Sequence, residues 1–160
     1  MRAAKPAATF VFQPGGMGIN FVKQWNQAGM NDLSKLYTVF TVDAVSLPAL
    51  KDTALGVIAT QTWSPDLDNP MNKKFVADYK GKHGGYPSFY AAQAYDTMMA
   101  IDYAIGKAGS ADTEAMRAVL AGGEIPTTRG ILQMNSNQFP IQNVYLREVV
   151  LDSDGVATTK

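Results

Sequence analysis

Cysteine is absent from this 160-residue chain and histidine occurs once, at His83. Without cysteine there is no disulfide frame, zinc ribbon or thiol nucleophile, and a lone histidine argues against a metal centre. The absence of cysteine fits an oxidising compartment. An excess of charge is lacking as well. Fourteen basic residues offset 14 acidic ones, and no basic run exceeds two residues. That leaves no electrostatic footprint for nucleic acid or an anionic membrane. No window approaches the roughly 18 uninterrupted apolar residues of a membrane span. Catalytic signatures are missing too. There is no G-x-S-x-G elbow, Ser46, Ser64 and Ser88 stand at turn or cap positions, and Glu114, Glu124 and Glu148 are scattered without pairing. The sequence therefore reads as a non-enzyme with no expected cofactor.

What is present reads as globular, with 46% hydrophobic and 18% charged residues. The most informative stretch is ATFVFQPGGMGINFVKQWNQAGM, from Ala8 to Met30. Thr9 to Phe12 is a β-prone run broken by Pro14, Gly15, Gly16 and Gly18. Met17, Phe21, Trp25 and Ala28 then recur at helical spacing, and Gly29 takes the place of a C-cap glycine. A second apolar run, Leu36 to Val42, ends at Asp43. Ser46 reads as the N-cap of a short helix carrying Leu47, Leu50 and Ala54, and Val57 to Trp63 reads as a third strand. Such β-α-β-α-β order predicts a parallel sheet with right-handed crossovers.

Beyond Trp63 the character changes. Asn69-Pro70 supplies an N-cap and an N1 proline for a helix bearing Phe75, Val76 and Tyr79, and His83-Gly84-Gly85 ends it. His83 can interact favourably with that helix C-terminus. Ser88 caps a long helix to about Lys107, with Ala91, Ala94, Tyr95, Met98 and Ile105 expected on one side. Asp112 caps a shorter helix with Met116, Val119 and Leu120. Gly130–Met134 and Val144–Leu151 read as strands, and Asp152-Ser153-Asp154-Gly155 as a hairpin turn.

Two readings compete for the glycine turn. Gly16-Met17-Gly18 after a strand opens a dinucleotide fingerprint, but Phe21 stands where the third glycine belongs. Asp43 lies about 27 residues beyond Gly16 rather than the usual ~20 of a ribose contact. A tight strand-to-helix turn accounts for the glycines unaided. Asp43 ends a strand on the same predicted sheet edge, so it and the turn can face one cleft. Equally, it is a carboxylate serving a turn before Ser46.

FVFQPGGMGINFVKQW resembles the cleft-wall segment of type I periplasmic binding proteins of the branched-chain amino acid and aromatic-acid group. LGVIATQTWSPDLDNPMNKKFVADYKGKHGGYPSFYAAQAYDTMMAIDYAI, Leu55 to Ile105, and RGILQMNSNQFPIQNVYLREVVLDSDG, Arg129 to Gly155, resemble later blocks of the same group. The resemblance covers nearly the whole chain but only the second half of such a protein. It implies an α/β fold that is part of a two-lobed architecture, with parallel sheets flanked by helices. Residues 1–62 and 141–160 would belong to one lobe and 63–140 to the other.

By the same resemblance the chain would be the substrate-binding component of an ABC transporter, with a membrane permease as partner and a periplasmic location. Its ligand would be a small hydrophobic amino acid or an aromatic carboxylate, captured by lobe closure. The implied ligand contacts are Gln13, Gly15, Gly16, Met17, Gly18, Asp43 and Tyr90, with Trp63 at the hinge. Asp43 would accept a ligand ammonium, while the QPGGMG and TQTWSPDLDNP blocks most resemble binders of aromatic acids. Outside transport, the alternative is a Rossmann-like nucleotide-binding enzyme fragment. Met1-Arg2-Ala3-Ala4-Lys5-Pro6 leads into no apolar stretch of signal-peptide length. The expectation is thus a fragment in which Met1 is an internal residue, the signal peptide and first half are absent, and exposed strand edges favour self-association.

Overall fold

The first three strands and their helices follow in the expected order. A computed structural model describes residues 3–160; Met1 and Arg2, and with them the reading of the opening methionine, lie outside it. The described residues up to Ser64 join Val144–Lys160 in one compact unit, and Pro65–Asn143 form a second.

In the first unit, β1 (Ala8–Val11), α1 (Gly16–Gln27), β2 (Lys35–Val39), α2 (Leu47–Leu50) and β3 (Ile58–Gln61) alternate, and a 3-10 turn at Lys51–Ala54 follows α2. β1 pairs with β2 and β2 with β3, both parallel, with Val11 opposite Thr38 and Val39 opposite Thr60. The strand ends near Phe12 and Val42 therefore share one sheet edge. Here the βαβ pattern was read correctly.

The sheet is mixed rather than wholly parallel. β7 (Tyr145–Leu151) runs antiparallel to β3, and β8 (Ala157–Thr159) antiparallel to β7. The hairpin turn is the cause of the last pairing. Asp152 Oδ1 accepts from Asp154 N at 2.9 Å and Val156 N at 2.8 Å, a link too short for a parallel crossover. Val11, Val22, Trp25, Leu36, Leu47, Leu50 and Val149 form the core between α1, α2 and one sheet face. The register aligns Phe10, Tyr37 and Ile58 on the other face. There Phe10 is 67% exposed.

The second unit contains α3 (Pro70–His83), α4 (Phe89–Ala108), α5 (Thr113–Gly122) and the antiparallel strands β4 (Ile125–Thr127), β5 (Gly130–Met134) and β6 (Pro140–Ile141). Its helix starts are as expected. Asn69 Oδ1 accepts from Asn72 N at 2.8 Å, Ser88 Oγ from Ala91 N at 3.1 Å, and Asp112 Oδ1 from Ala115 N at 2.9 Å. His83 stacks at the end of α3, its ring centroid 4.5 Å from that of Tyr79. None of the described helices is long and apolar enough to cross a membrane.

Two helix faces differ from expectation. α1 buries Gly18, Val22 and Trp25, and Met17 points outward at 67% exposure. α4 buries Phe89, Ala92, Asp96 and Ala104, so Met98 and Ile105 are exposed. Each rotation has a specific cause, given below: a close backbone approach at Gly18 and a buried ion pair at Asp96.

Candidate functional site

The carboxyl edge of β1 and β2 is fastened by one threonine. Gln13 N donates to Thr41 Oγ1 at 3.1 Å, and that hydroxyl donates to Val39 O at 3.0 Å. The turn then enters α1. Gly15 adopts φ 67°, a conformation that favours glycine, and as N-cap it offers no side-chain cap to the first helical N–H groups. A Cβ on Gly18 would lie 2.0 Å from the Gln13 carbonyl oxygen and 2.7 Å from Thr41 Cγ2, so only glycine fits there. This contact sets the rotation of α1. A Cβ on Gly16 would meet nothing within 4 Å. Gly15, Gly16 and Met17 are exposed, Gln13 is half-buried and Gly18 is buried. The glycines thus divide into one that turns the chain, one that permits contact, and one that leaves space.

Asp43 follows β2 at the same edge. Its Oδ1 accepts from Val45 N at 2.9 Å and Ser46 N at 3.3 Å, while Ser46 Oγ accepts from Asp43 N at 3.0 Å. The aspartate caps this turn; Ser46 stands at the N-cap position of α2, as read from the sequence, but its side chain caps no helix N–H. Oδ2 is buried with no hydrogen-bond partner. Burial pushes the carboxyl above its ordinary value, opposed by the N–H groups of Val45 and Ser46. One oxygen is committed to the fold and the other is left without a donor.

Sequence reasoning missed an aromatic pair beside these groups. Phe12 and Phe40 meet edge to face with centroids 6.1 Å apart, and Phe40 is held at φ 50°. A phenylalanine immediately after each of two adjacent strands was the available signal. Tyr90 belongs to the second unit, on the first turn of α4, 50% exposed and edge-on to Phe89 at 5.5 Å. Trp63, just beyond β3, is buried.

Also missed was a polar brace inside the second unit. Asp96 Oδ1 accepts from Thr128 N at 2.6 Å, and Oδ2 from Thr128 Oγ1 at 3.0 Å and Arg129 Nε at 3.0 Å. Arg129 also donates to Gln142 Oε1, and Asn69 Nδ2 donates to Thr128 O at 2.8 Å. Asn72 Nδ2 reaches the carbonyls of Pro65 and Leu67 at 3.2 and 3.0 Å. The network holds both ends of the second unit's chain, near Pro65 and near Gln142. The signal for it was a charge placed at helical spacing between Phe89, Ala92 and Ala104.

The chain matches the family described as periplasmic binding protein over residues 1–155. A Leu/Ile/Val-binding protein homolog 6 of Brucella melitensis is 34% identical over 160 residues, taking in 94% of this chain and 40% of the relative. A solute-binding protein of an ABC transporter from Rhodopseudomonas palustris BisB5, solved with 3,4-dihydroxybenzoic acid, is similar to the whole chain at 33% identity. Its TM-score is 0.86, with 46% of that structure covered. A second R. palustris solute-binding protein, solved with benzoate, has 26% identity and TM-score 0.83 over 98% of this chain and 43% of its own length. The chain spans less than half the length of each of these three relatives.

Proposed function

The chain belongs to the periplasmic binding protein family, and from that premise we propose that it is part of a two-lobed receptor. The receptor captures a small solute in the periplasm and delivers it to an ABC-type permease. The two compact units are taken as parts of the two lobes, with Trp63 at the hinge and closure burying the ligand. The proposed ligand contacts are Gln13, Gly15, Gly16, Met17, Gly18, Asp43 and Tyr90. The role is binding, not catalysis.

The observation that carries this reading is Asp43 Oδ2, buried and unpartnered while Oδ1 is locked into the turn. Burying a carboxylate oxygen without a donor is costly, so the site fits a ligand that brings one. An α-ammonium does so with a charge-assisted bond, which favours a hydrophobic amino acid. A second reading draws on the two R. palustris complexes. A hydroxylated aromatic acid would donate its phenol to Oδ2 and place its ring near Phe12 and Phe40. The nucleotide-binding alternative is not favoured, because the approach of Gly18 to Gln13 explains the glycine without a phosphate.

Calorimetry on the complete receptor with leucine, phenylalanine and 4-hydroxybenzoate tests the reading. A ligand of either class should bind, and NAD and ATP should not. Nucleotide binding with no response to the other two classes would overturn it. The 160-residue chain alone should bind these ligands weakly and self-associate through the exposed β1 edge. Light scattering that shows a monomer, with tight binding, would remove the two-lobe requirement.

A further inference from the structure

The second unit contains a recess of about 540 Å³ between α5 and the β5–β6 hairpin, within the ~300–1,000 Å³ of small-molecule sites. Met116, Leu120 and Ala121 of α5 and Met134 at the end of β5 line it with apolar surface. Methionine adapts to planar guests and makes favourable contacts with aromatic rings. One charged group lines the recess, Arg117. Its ion pair with Glu114 is long, 3.4 Å from Nη1, and both side chains are largely exposed. Such a pair contributes little, and a guanidinium has further N–H donors for an incoming carboxylate.

The hairpin adds neutral amide groups that include donors. Asn135 Oδ1 is occupied by Ser136 N at 2.7 Å, so its amide nitrogen remains the group to offer. Gln138 also lines the recess, from a backbone held at φ 64° by Gln138 N donating to Asn135 O at 2.8 Å. Among the described residues, no acidic side chain lines it. Its polarity is thus opposite to that of Asp43: an apolar floor with a cation and amides at the rim.

We propose that this recess is a second small-molecule site, which takes a ring-sized aromatic monocarboxylate with its ring on Met116, Leu120 and Met134 and its carboxylate on Arg117. It lies wholly within one unit and does not depend on the site at Asp43 or on lobe closure.

The test uses the 160-residue chain carrying Asp43→Ala and ¹³C-methyl methionine, titrated with benzoate and, separately, with benzylamine. Benzoate should shift the Met116 and Met134 methyl signals saturably. Benzylamine, with the charge reversed, should bind at least about tenfold more weakly, the scale of one charge-assisted hydrogen bond. Arg117→Gln should weaken benzoate by a similar factor, and Ala121→Trp, a filling change at an exposed helix position, should abolish the shifts with circular dichroism unchanged. The proposal is overturned if no saturable shift occurs, if benzylamine matches benzoate, or if the shifts survive Ala121→Trp.

Discussion

Asp43 and Asp96 are both carboxylates drawn out of water, one in each unit, and their surroundings treat them differently. Asp96 is 3% exposed, and both its oxygens are taken up by Thr128 and by Arg129, which is itself 12% exposed. Asp43 has one oxygen satisfied by the backbone of its own turn and the other buried with nothing to accept from. The first arrangement completes an internal account of donors and acceptors; the second leaves it open. A fully satisfied charge network holds a fold, and a half-satisfied one is unfavourable until a donor arrives. The difference separates an aspartate whose oxygens are both satisfied within the fold from one with an unsatisfied buried oxygen, the feature on which the proposed ligand role of Asp43 rests.

That distinction is broken most sharply at Asp96. Asp96→Ala leaves the Thr128 N–H and the Arg129 Nε–H without their buried acceptor, with only Gln142 left to Arg129, and should cost about 3–5 kcal/mol of stability in the second unit. Urea titration followed by circular dichroism, with hydrogen exchange along α4, measures it. A loss below about 1 kcal/mol, typical of surface ion pairs, would mean that the brace is ornamental.

Asp43→Ala should act on ligand instead. In the complete receptor, losing the partner of a buried ammonium costs about 1.5–3 kcal/mol, roughly ten- to a hundredfold in affinity for an amino acid. Unchanged amino-acid affinity in calorimetry would remove Asp43 from the site. If an aromatic acid binds and loses affinity, the phenol-donor reading is sharpened.

Gly18→Ala tests whether the glycine turn is itself structural. The added methyl must displace the Gln13 carbonyl or Thr41, and should destabilise the first unit by about 1–3 kcal/mol, as overpacking does. Gly16→Ala, in open space, should fold normally, so a thermal melt of the pair separates close contact from ligand contact. Equal losses in the two would show that the approach at Gly18 is not the constraint.

The smallest effect is the pH dependence of Asp43. Burial raises its carboxyl above the ordinary 3.8. Between that value and the raised one, the folded chain keeps a proton that the unfolded chain has lost. Stability of the ligand-free chain therefore falls as pH rises through this interval. Asp43→Asn keeps an Oδ1 acceptor for Val45 and Ser46 and removes the slope. The variant should exceed the parent in urea midpoint at neutral pH and converge with it below the ordinary carboxylate value. A parent that gains on the variant as pH rises would reverse the assignment.

Much of the local structure was legible because its causes lie within a few residues. Asn69-Pro70, Ser88 and Asp112 start helices by accepting from an N–H three positions on, and Asp152 to Gly155 closes a hairpin by the same short-range bonding. The candidate edge was legible too, since two apolar runs joined by a helix must pair in parallel. The face of each helix was not. Met17 and Met98 fit the periodic stripes as well as their neighbours do, and hydrophobicity alone does not distinguish faces about 100° apart.

The sequence by itself determined the order of the first three strands and their helices, the starts of the later helices, the closing hairpin turn, and the parallel β1-β2-β3 edge that carries both the Gln13–Gly18 turn and Asp43. Tertiary structure alone decided the rotation of α1 and α4, the pairing of Asp96 with Thr128 and Arg129, the antiparallel docking of β7 on β3, and which oxygen of Asp43 is left unsatisfied. The reason is range. A cap is settled by bonds spanning three residues, whereas Asp96 finds its partners 32 and 33 positions away and Gln13 finds Thr41 at 28. Burial of a charge is tolerable only where such distant donors converge, and only the folded chain brings them together.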